Sequence, residues 1–372
     1  MSLTSHMQTY GPDHDLWDPL LNLKEYGQHR LTSVELTVTN MCNMRCEHCA
    51  VGHVLTPRDG ERMPLADVLR MLDQVEHLKT ISITGGEPSF QKQAVKEYII
   101  PILKYARERG VLSQLNSNLT MEYEIYESIA PYLDVLHISY NYVNARDFHE
   151  IGFARAARAV GYDTAARLYV RMVENARRLS DAGLFVSAES MINYRTHRNM
   201  PEIHRHIVEM GCRRHEVHPM YPSDYAEHLP MISLDEMRTA IHRLLDARDR
   251  NVWMLFGTLP FYACSDNPED LRLLRRLHQE ERVTVRNDPD GRNRLNVDLF
   301  TGDVRVTDFA EVPPLGNVRH ETLDSIFTRW QEHELYRETS CYCPSARCCG
   351  PNLLVANMYY RNVDFKQRKA RL

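Results

Sequence analysis

Short segments that alternate between apolar and polar residues, and longer amphipathic segments, follow one another along most of the chain. In residues 32–39, Val34, Leu36 and Val38 share one face and polar residues the other, which predicts a β-strand. Residues 65–78 instead place apolar side chains every three or four positions, which is typical of a helix. Alternation predicts six strands, at residues 32–39, 80–84, 112–116, 135–140, 184–190 and 214–218. A predicted helix follows each strand, at residues 65–78, 94–110, 122–132, 166–182, 200–211 and 233–250.

Strands that alternate with helices in this way pair in parallel through right-handed crossovers. The sequence therefore predicts an α/β fold whose larger part is a partial (β/α)6 TIM-like barrel, with its chemistry at the carboxyl ends of the strands. After about residue 252 the predicted strands become shorter and a hairpin turns at residues 301–303. We expect an N-terminal lead-in (1–31), a barrel (32–251) and a smaller C-terminal α+β domain (252–372).

Composition narrows the class of protein without choosing a reaction. The chain has 372 residues, 43% hydrophobic and 26% charged, which are values of a globular protein of more than one domain. A net charge of -5 argues against a general nucleic-acid binder. There is neither an apolar run of membrane-spanning length nor a hydrophobic signal region. We expect a cytoplasmic protein, in which the nine cysteines serve as metal ligands more often than as disulfide partners.

Three of these cysteines, Cys42, Cys46 and Cys49, follow the first predicted strand. They can face a common centre only if their loop curls around a bound group. A four-iron cluster has four corners, so three protein ligands would leave one iron open to a small molecule. The alternative is a structural zinc site that adds His48 or His53 to the cysteines.

The spacing of the cysteines, within NMCNMRCEHCAVG at residues 40–52, resembles the signature of the radical S-adenosylmethionine (SAM) superfamily. The second predicted strand ends in Gly-Gly-Glu-Pro at residues 85–88, as that superfamily's second motif does. The resemblance implies that the three cysteines bind a [4Fe-4S] cluster with SAM on its open iron. It also implies an enzyme that reductively cleaves SAM to a 5'-deoxyadenosyl radical, which takes a hydrogen atom from a substrate. The residues leave open whether this substrate is a peptide or a small metabolite.

Residues at the strand ends are predicted to contact SAM. Gly85 and Gly86 have no side chain to keep a ligand off the backbone, and Glu87 adds a negative charge nearby. A carboxylate that points into a barrel needs a partner, which for Glu189 would be SAM or Arg171. The full predicted set is Gly85, Gly86, Glu87, Pro88, Ser117, Asn118, Ser139, Asn141, Glu189 and Arg171. For the serines and asparagines, simple loop capping is the alternative.

A second group of cysteines lies near the C-terminus, at Cys341, Cys343, Cys348 and Cys349, with Cys264 at the other edge of the region. The hairpin, the amphipathic helix and the pattern Cys-x-Cys-x4-Cys resemble the auxiliary-cluster domain (twitch or SPASM) of the superfamily and the bacterial YfkAB-type family. The resemblance implies a second [4Fe-4S] cluster. We expect full ligation by Cys264, Cys341, Cys343 and Cys348, with Cys349 as the spare. If only the last three bound it, one iron would be open.

Two classes of function therefore remain. The favoured one is a radical SAM enzyme that takes electrons from a donor such as flavodoxin or ferredoxin. The rival is a non-enzymatic iron-sulfur or zinc protein that senses redox state or scaffolds partners. Formation of 5'-deoxyadenosine from SAM under reducing conditions distinguishes them.

Overall fold

A computed structural model describes residues 10–222, 224–287, 289–307, 312–343 and 346–372. Its strands are β1 (Ser33–Thr39), β2 (Thr80–Gly85), β3 (Leu112–Ser117), β4 (Val135–Ser139), β5 (Phe185–Ile192), β6 (Arg214–Pro219), β7 (Trp253–Gly257), β8 (Val283–Arg286), β9 (Arg294–Asp298), β10 (Asp303–Arg305) and β11 (Gly316–Asn317). Its α-helices are α1 (Pro19–Tyr26), α2 (Leu65–Asp73), α3 (Lys92–Ala94), α4 (Ile100–Glu108), α5 (Tyr123–Ile129), α6 (Ala145–Gly152), α7 (Tyr162–Asp181), α8 (Met200–Glu209), α9 (Leu234–Ala247), α10 (Pro268–Gln279), α11 (Leu323–Glu332), α12 (Glu334–Thr339) and α13 (Leu353–Tyr359).

The strands form one sheet in the order β11-β10-β9-β1-β2-β3-β4-β5-β6-β7-β8. Strands β1 to β6 are parallel neighbours in chain order, so the predicted α/β fold with a six-stranded barrel unit is confirmed. Beyond β6 the sheet continues in parallel through β7 and β8, and β9 joins its other side in parallel with β1. The hairpin predicted at residues 301–303 connects β9 to the antiparallel β10. The domain boundary predicted at residue 252 thus falls between neighbouring strands of one sheet.

Apolar side chains cover the outer face of the barrel strands, beneath the helices. Val34, Leu36 and Val38 of β1 are fully buried in the same core as residues of α2 and α4. The polar residues between them, such as Glu35, face the interior, where side chains from β1 to β6, β8 and β9 line one cavity. Alternation thus sorts each strand into an apolar outer face and a polar inner face.

Two predicted helices are interrupted. Between α3 and α4 the chain forms a π-helical turn at Val95–Ile99, where the Ile100 N–H bonds to the Val95 carbonyl. Pro101 follows at once and has no N–H for the regular ladder, which explains the irregular turn at this point. The helix predicted at residues 322–335 is divided at His333 into α11 and α12.

The N-terminal segment closes the barrel at the amino ends of the strands. The Tyr10 ring packs edge-on against Trp17, Phe185 and Trp253, with centroid distances of 5.1 to 5.5 Å. Trp17 also donates from its indole nitrogen to the Ser82 hydroxyl at 3.1 Å. The interior is therefore sealed at this end and its chemistry faces the other. None of the helices in the described ranges combines the length and apolar character needed to cross a bilayer.

Candidate active site and cysteine centres

The three cysteines after β1 share one cavity of about 410 Å³ with the ends of the barrel strands. This volume is within the usual range for small-molecule sites. Of the predicted site residues, the cavity is lined by Cys42, Cys46, Cys49, Gly85, Gly86, Ser117, Asn118, Ser139 and Glu189. Four others are not among the described residues that line it: Glu87, Pro88, Asn141 and Arg171.

Hydrogen-bond donors surround the thiols of this loop. The Met44 N–H lies 3.4 Å from the Cys42 sulfur, and the Tyr142 hydroxyl donates to Cys46. Burial, together with the charges of Glu87 and a neighbouring thiol, raises the pKa of Cys42 to about 12. Burial and the neighbouring thiols raise the pKa of Cys46 well above its usual value. These thiols become thiolates only against a strong positive charge, which iron supplies. The three thiols, and the positive charge that they need in order to ionise, therefore fit an iron-sulfur cluster.

Single-ion binding requires a tighter arrangement than this loop offers. Within the part of the chain that the structure describes, no three His, Cys, Asp or Glu side chains lie close enough to hold one metal ion. A structural zinc site, which was the alternative for the cysteine loop, requires four such side chains around one ion.

The cysteine loop is fastened to α6. The N–H groups of Arg45 and Glu47 bond to the carbonyls of Gly152 and Ile151, at 2.9 and 3.0 Å. Met44 packs so closely here that a Cβ on Gly152 would lie 2.4 Å from its terminal methyl carbon. The long connection between β4 and α7 is thus a support for the cysteine loop.

The glycine turn at the end of β2 lies directly against the backbone of the cysteine loop. A Cβ on Gly85 would lie 2.2 Å from the Thr39 carbonyl oxygen, and one on Gly86 would lie 2.3 Å from the Met41 carbonyl oxygen. The Gly86 N–H also donates to Thr39 at 2.7 Å. The missing side chains therefore make room for the backbone of the cysteine loop.

Glu87 binds the end of β3. Its carboxylate accepts from the Ser117 hydroxyl at 2.9 Å and from the Asn118 N–H at 2.6 Å, and Glu87 is 1% exposed. Pro88 begins the short 3-10 turn that Glu87 caps. The negative charge is consequently used to hold Ser117 and Asn118 at the cavity rather than to line it.

Asn141 and Arg171 are engaged outside the cavity. The Asn141 side-chain oxygen accepts from the Met191 N–H at 2.7 Å, which ties β4 to β5. The Arg171 guanidinium lies near Glu122, at 3.4 Å. Of the two partners considered for Glu189, Arg171 is therefore excluded, because the Glu189 carboxylate is 3.2 Å from Nε2 of His137 on the neighbouring strand. Contact of Glu189 with SAM stays a prediction.

Histidine and carboxylate pairs form the inner wall of the cavity. Besides Glu189 and His137, Glu216 on β6 lies 2.9 Å from Nε2 of His218, and both line the cavity. Burial opposes a charged imidazole, but the Glu216 carboxylate outweighs it and raises the pKa of His218. A Cβ on Gly257 of β7 would lie 2.0 Å from the His218 ring, so this glycine makes room for the imidazole.

Sequence reasoning included Glu189 but missed His137, Glu216, His218 and Tyr142. Their periodicity was visible, since His137 and Glu189 are polar residues inside predicted strands. What the sequence did not contain was the register that places His137 opposite Ser187 and Ser139 opposite Glu189. Tyr142 carried no signal beyond its place just after β4.

The C-terminal cysteines gather in a second, smaller core. Cys264, Cys341, Cys343 and Cys348 pack there with aromatic residues, and Cys341 interacts electrostatically with the other three. The N–H of each of Cys343 and Cys348 donates to the carbonyl of the other, at 2.9 and 3.2 Å. Cys349 is 4% exposed and is not one of the described members of this core.

Comparison with known proteins identifies the family. The sequence matches the radical SAM superfamily over residues 36–207 and the YfkB-like domain over residues 220–370. YfkA of Bacillus subtilis (strain 168) is 54% identical over 372 residues, which cover 100% of both chains. The chain belongs to the radical SAM superfamily. The likeness recognised in the cysteine and glycine motifs is thereby confirmed.

Solved radical SAM structures share the fold. Streptococcus suis SuiB bound to S-adenosylmethionine has a TM-score of 0.60 at 15% identity, over 90% of this chain and 74% of that one. SuiB bound to its precursor peptide SuiA has a TM-score of 0.58 at 14% identity, over 91% and 75% of the chains.

Membership settles the kind of chemistry. Radical SAM family members are enzymes that use a [4Fe-4S] cluster and SAM, so these predicted cofactors and the predicted enzyme class are confirmed. The YfkB-like domain and the cysteine-rich C-terminus fit an auxiliary cluster. The alternative hypothesis of a non-enzymatic iron-sulfur or zinc protein is therefore rejected.

Proposed function

We propose that Cys42, Cys46 and Cys49 hold the catalytic cluster of this radical SAM enzyme and that the substrate binds in the cavity they line. The observation that carries the proposal is the shared cavity, which brings three thiols and the glycine turn to the carboxyl ends of six parallel strands. When bound, the cluster and SAM supply a 5'-deoxyadenosyl radical that takes a hydrogen atom from the substrate. Flavodoxin or ferredoxin serves as the electron donor.

The protein's contribution is to bind and orient. The Met44 N–H and the Tyr142 hydroxyl stabilise thiolate charge on Cys42 and Cys46. Carbonyl oxygens of Gly85 and Gly86 accept from the SAM ammonium, since the Gly86 N–H is already bonded to Thr39. Ser117, Asn118, Ser139 and Glu189 contact the rest of the cofactor from the strand ends. Glu87 and Asn141 act as positioning residues, because they hold those ends in place.

The substrate presents a small polar group to the inner wall. The substrate, a peptide or a small metabolite, reaches the reacting atoms through the same cavity that holds SAM. The wall offers two imidazole and carboxylate pairs, His137 with Glu189 and His218 with Glu216. A peptide that inserts one polar side chain is favoured, because SuiB is seen with a precursor peptide and shares this fold.

The auxiliary cluster is held by Cys264, Cys341, Cys343 and Cys348. Their mutual electrostatic contacts and their shared small core support full ligation, with Cys349 outside the set. The C-terminal segment supports this arrangement, since the Arg368 guanidinium donates to the Cys264 carbonyl at 3.3 Å. A fully ligated cluster transfers electrons or stabilises the region rather than binding substrate.

Iron content and product formation test the proposal. After anaerobic reconstitution we expect about eight irons per chain, and 5'-deoxyadenosine once SAM and dithionite are added. Cys46→Ala should retain about four irons and form no product. Cys212→Ala, a buried cysteine of the main core, is the matched control and should keep both. Product from Cys46→Ala would overturn the assignment of this loop.

A further inference from the structure

A buried tyrosine beside the C-terminal cysteines lacks a hydrogen-bond partner. Tyr262 is 3% exposed, and its hydroxyl has no partner among the described residues. Buried hydroxyl groups are almost always bonded, so this one has room for a partner that the described residues do not provide. Its ring lies in the small core that contains Cys264, Cys341, Cys343 and Cys348.

Two neighbouring tyrosines of the same core have hydrogen-bonded hydroxyl groups, unlike Tyr262. The Tyr221 and Tyr360 hydroxyls donate to the backbone carbonyls of Thr258 and Pro260. The Tyr262 hydroxyl interacts electrostatically with Tyr221 and also with Cys348, Tyr360 and Cys341. Edge-on packing against Tyr360 and Phe365, at 5.5 and 5.2 Å between centroids, fixes the orientation of its ring. Tyr262 thus shares a core with the cysteines, and its hydroxyl has no hydrogen-bond partner among the described residues.

Asn287 approaches the same cysteines from the end of β8. It is 8% exposed, and its Nδ2 donates to the Cys348 sulfur at 3.6 Å. Its side-chain oxygen has no partner within the described ranges. A neutral thiol is a poor acceptor, whereas a cluster thiolate is a good one, so this contact also fits a metal-bound Cys348.

We propose that Tyr262 and Asn287 are hydrogen-bond donors to the auxiliary cluster and raise its reduction potential. Tyr262 donates its O–H to a cluster sulfur, and Asn287 donates to the Cys348 thiolate. Donors to the sulfurs stabilise the more negative, reduced state and thus favour reduction. The proposal rests on the auxiliary cluster assigned above, and both residues act through the cluster as positioning residues.

A redox titration of the auxiliary cluster alone tests this. The full chain with Cys42, Cys46 and Cys49 all changed to Ala should hold about four irons, whose midpoint potential is followed by EPR. Adding Tyr262→Phe should keep the iron and disfavour reduction about tenfold, a midpoint lower by about 59 mV for one electron. The matched control Tyr360→Phe removes a hydroxyl of the same core that faces a carbonyl, and should leave the midpoint unchanged.

Each outcome decides a different point. If the three-cysteine variant holds no iron, the auxiliary cluster itself is refuted. If iron is kept and Tyr262→Phe titrates like its parent, the role of Tyr262 is refuted. Should Tyr262→Phe fail to bind iron, Asn287→Ser is titrated in the same way, and an unchanged midpoint there overturns the proposal.

Discussion

Removing the charge of Glu216 should destabilise the barrel strongly. This carboxylate is 5% exposed in its side chain and lies between three cationic partners. Arg286 is 2.5 Å away, His218 is 2.9 Å away and Arg214 is 3.1 Å away. In Glu216→Gln, an amide NH2 group would face these donors, and Arg214 would be left in the interior without a counter-charge at this position. Breaking a buried ion pair from one side costs about 3–5 kcal/mol.

The expected change in melting temperature follows from chain length. At about 2.1 cal/mol/K per residue, 372 residues give an unfolding entropy of about 0.8 kcal/mol/K. A loss of about 3–5 kcal/mol then lowers the melting temperature by about 4–6 °C. Differential scanning calorimetry of the reconstituted protein at pH 7 measures it.

The matched control is an exposed pair of the same residue types. Glu202 lies 3.3 Å from Arg205 and is 50% exposed in its side chain. Glu202→Gln should cost less than about 1 kcal/mol, because water screens such a pair. If Glu216→Gln melts within about 1 °C of the parent, or no lower than the control, the stabilising role given to the buried network is wrong.

The stabilisation that the Glu216 carboxylate gives should also depend on pH. Although burial opposes ionisation, Arg286 and Arg214 hold the pKa of Glu216 well below its usual 4.5. Its stabilisation is therefore complete above the unfolded pKa and is lost as the pH falls through the folded pKa. The Glu216 charge itself should contribute equally from pH 7 to about pH 5 and less only in stronger acid. Because Glu216 also raises the pKa of His218 above its usual 6.5, the difference between Glu216→Gln and the parent should grow as the pH falls from above the folded pKa of His218 to below 6.5.

Two glycine substitutions should each remove one cluster and leave the other. In Gly86→Ala, the new Cβ would lie 2.3 Å from the Met41 carbonyl oxygen, so we expect about four irons instead of about eight and no 5'-deoxyadenosine. In Gly350→Ala, a Cβ would lie 2.3 Å from the Thr339 carbonyl oxygen at a φ of +107°, so iron should be lost at the C-terminal cysteines while Cys42, Cys46 and Cys49 keep theirs. Gly161→Ala, with nothing within 4 Å of the new Cβ, is the control for both. Iron per chain is measured, and EPR shows which cluster is present. Full iron content in either variant would contradict the close contacts on which the prediction depends.

Local patterns were enough to find the elements and the cysteine loop. Strand alternation and helical spacing depend on a few neighbouring residues, so the six barrel strands were predicted in the right order. The loop of Cys42, Cys46 and Cys49 is equally local, because all three thiols lie within eight consecutive residues. The Gly85 and Gly86 turn was recognised by its residues, but its steric reason required the position of Met41.

The sequence by itself determined the α/β alternation and the cysteine and glycine motifs, whose resemblance to the radical SAM superfamily implied the kind of cofactor. Only the tertiary structure decided which polar groups meet. β9 lies beside β1 although more than 250 residues separate them, and the pairing of Glu189 with His137 rather than Arg171 follows from strand register. Such contacts depend on packing between distant segments, which no short pattern encodes. The partnerless hydroxyl of Tyr262 became visible for the same reason, since its burial results from the whole C-terminal core closing around the cysteines.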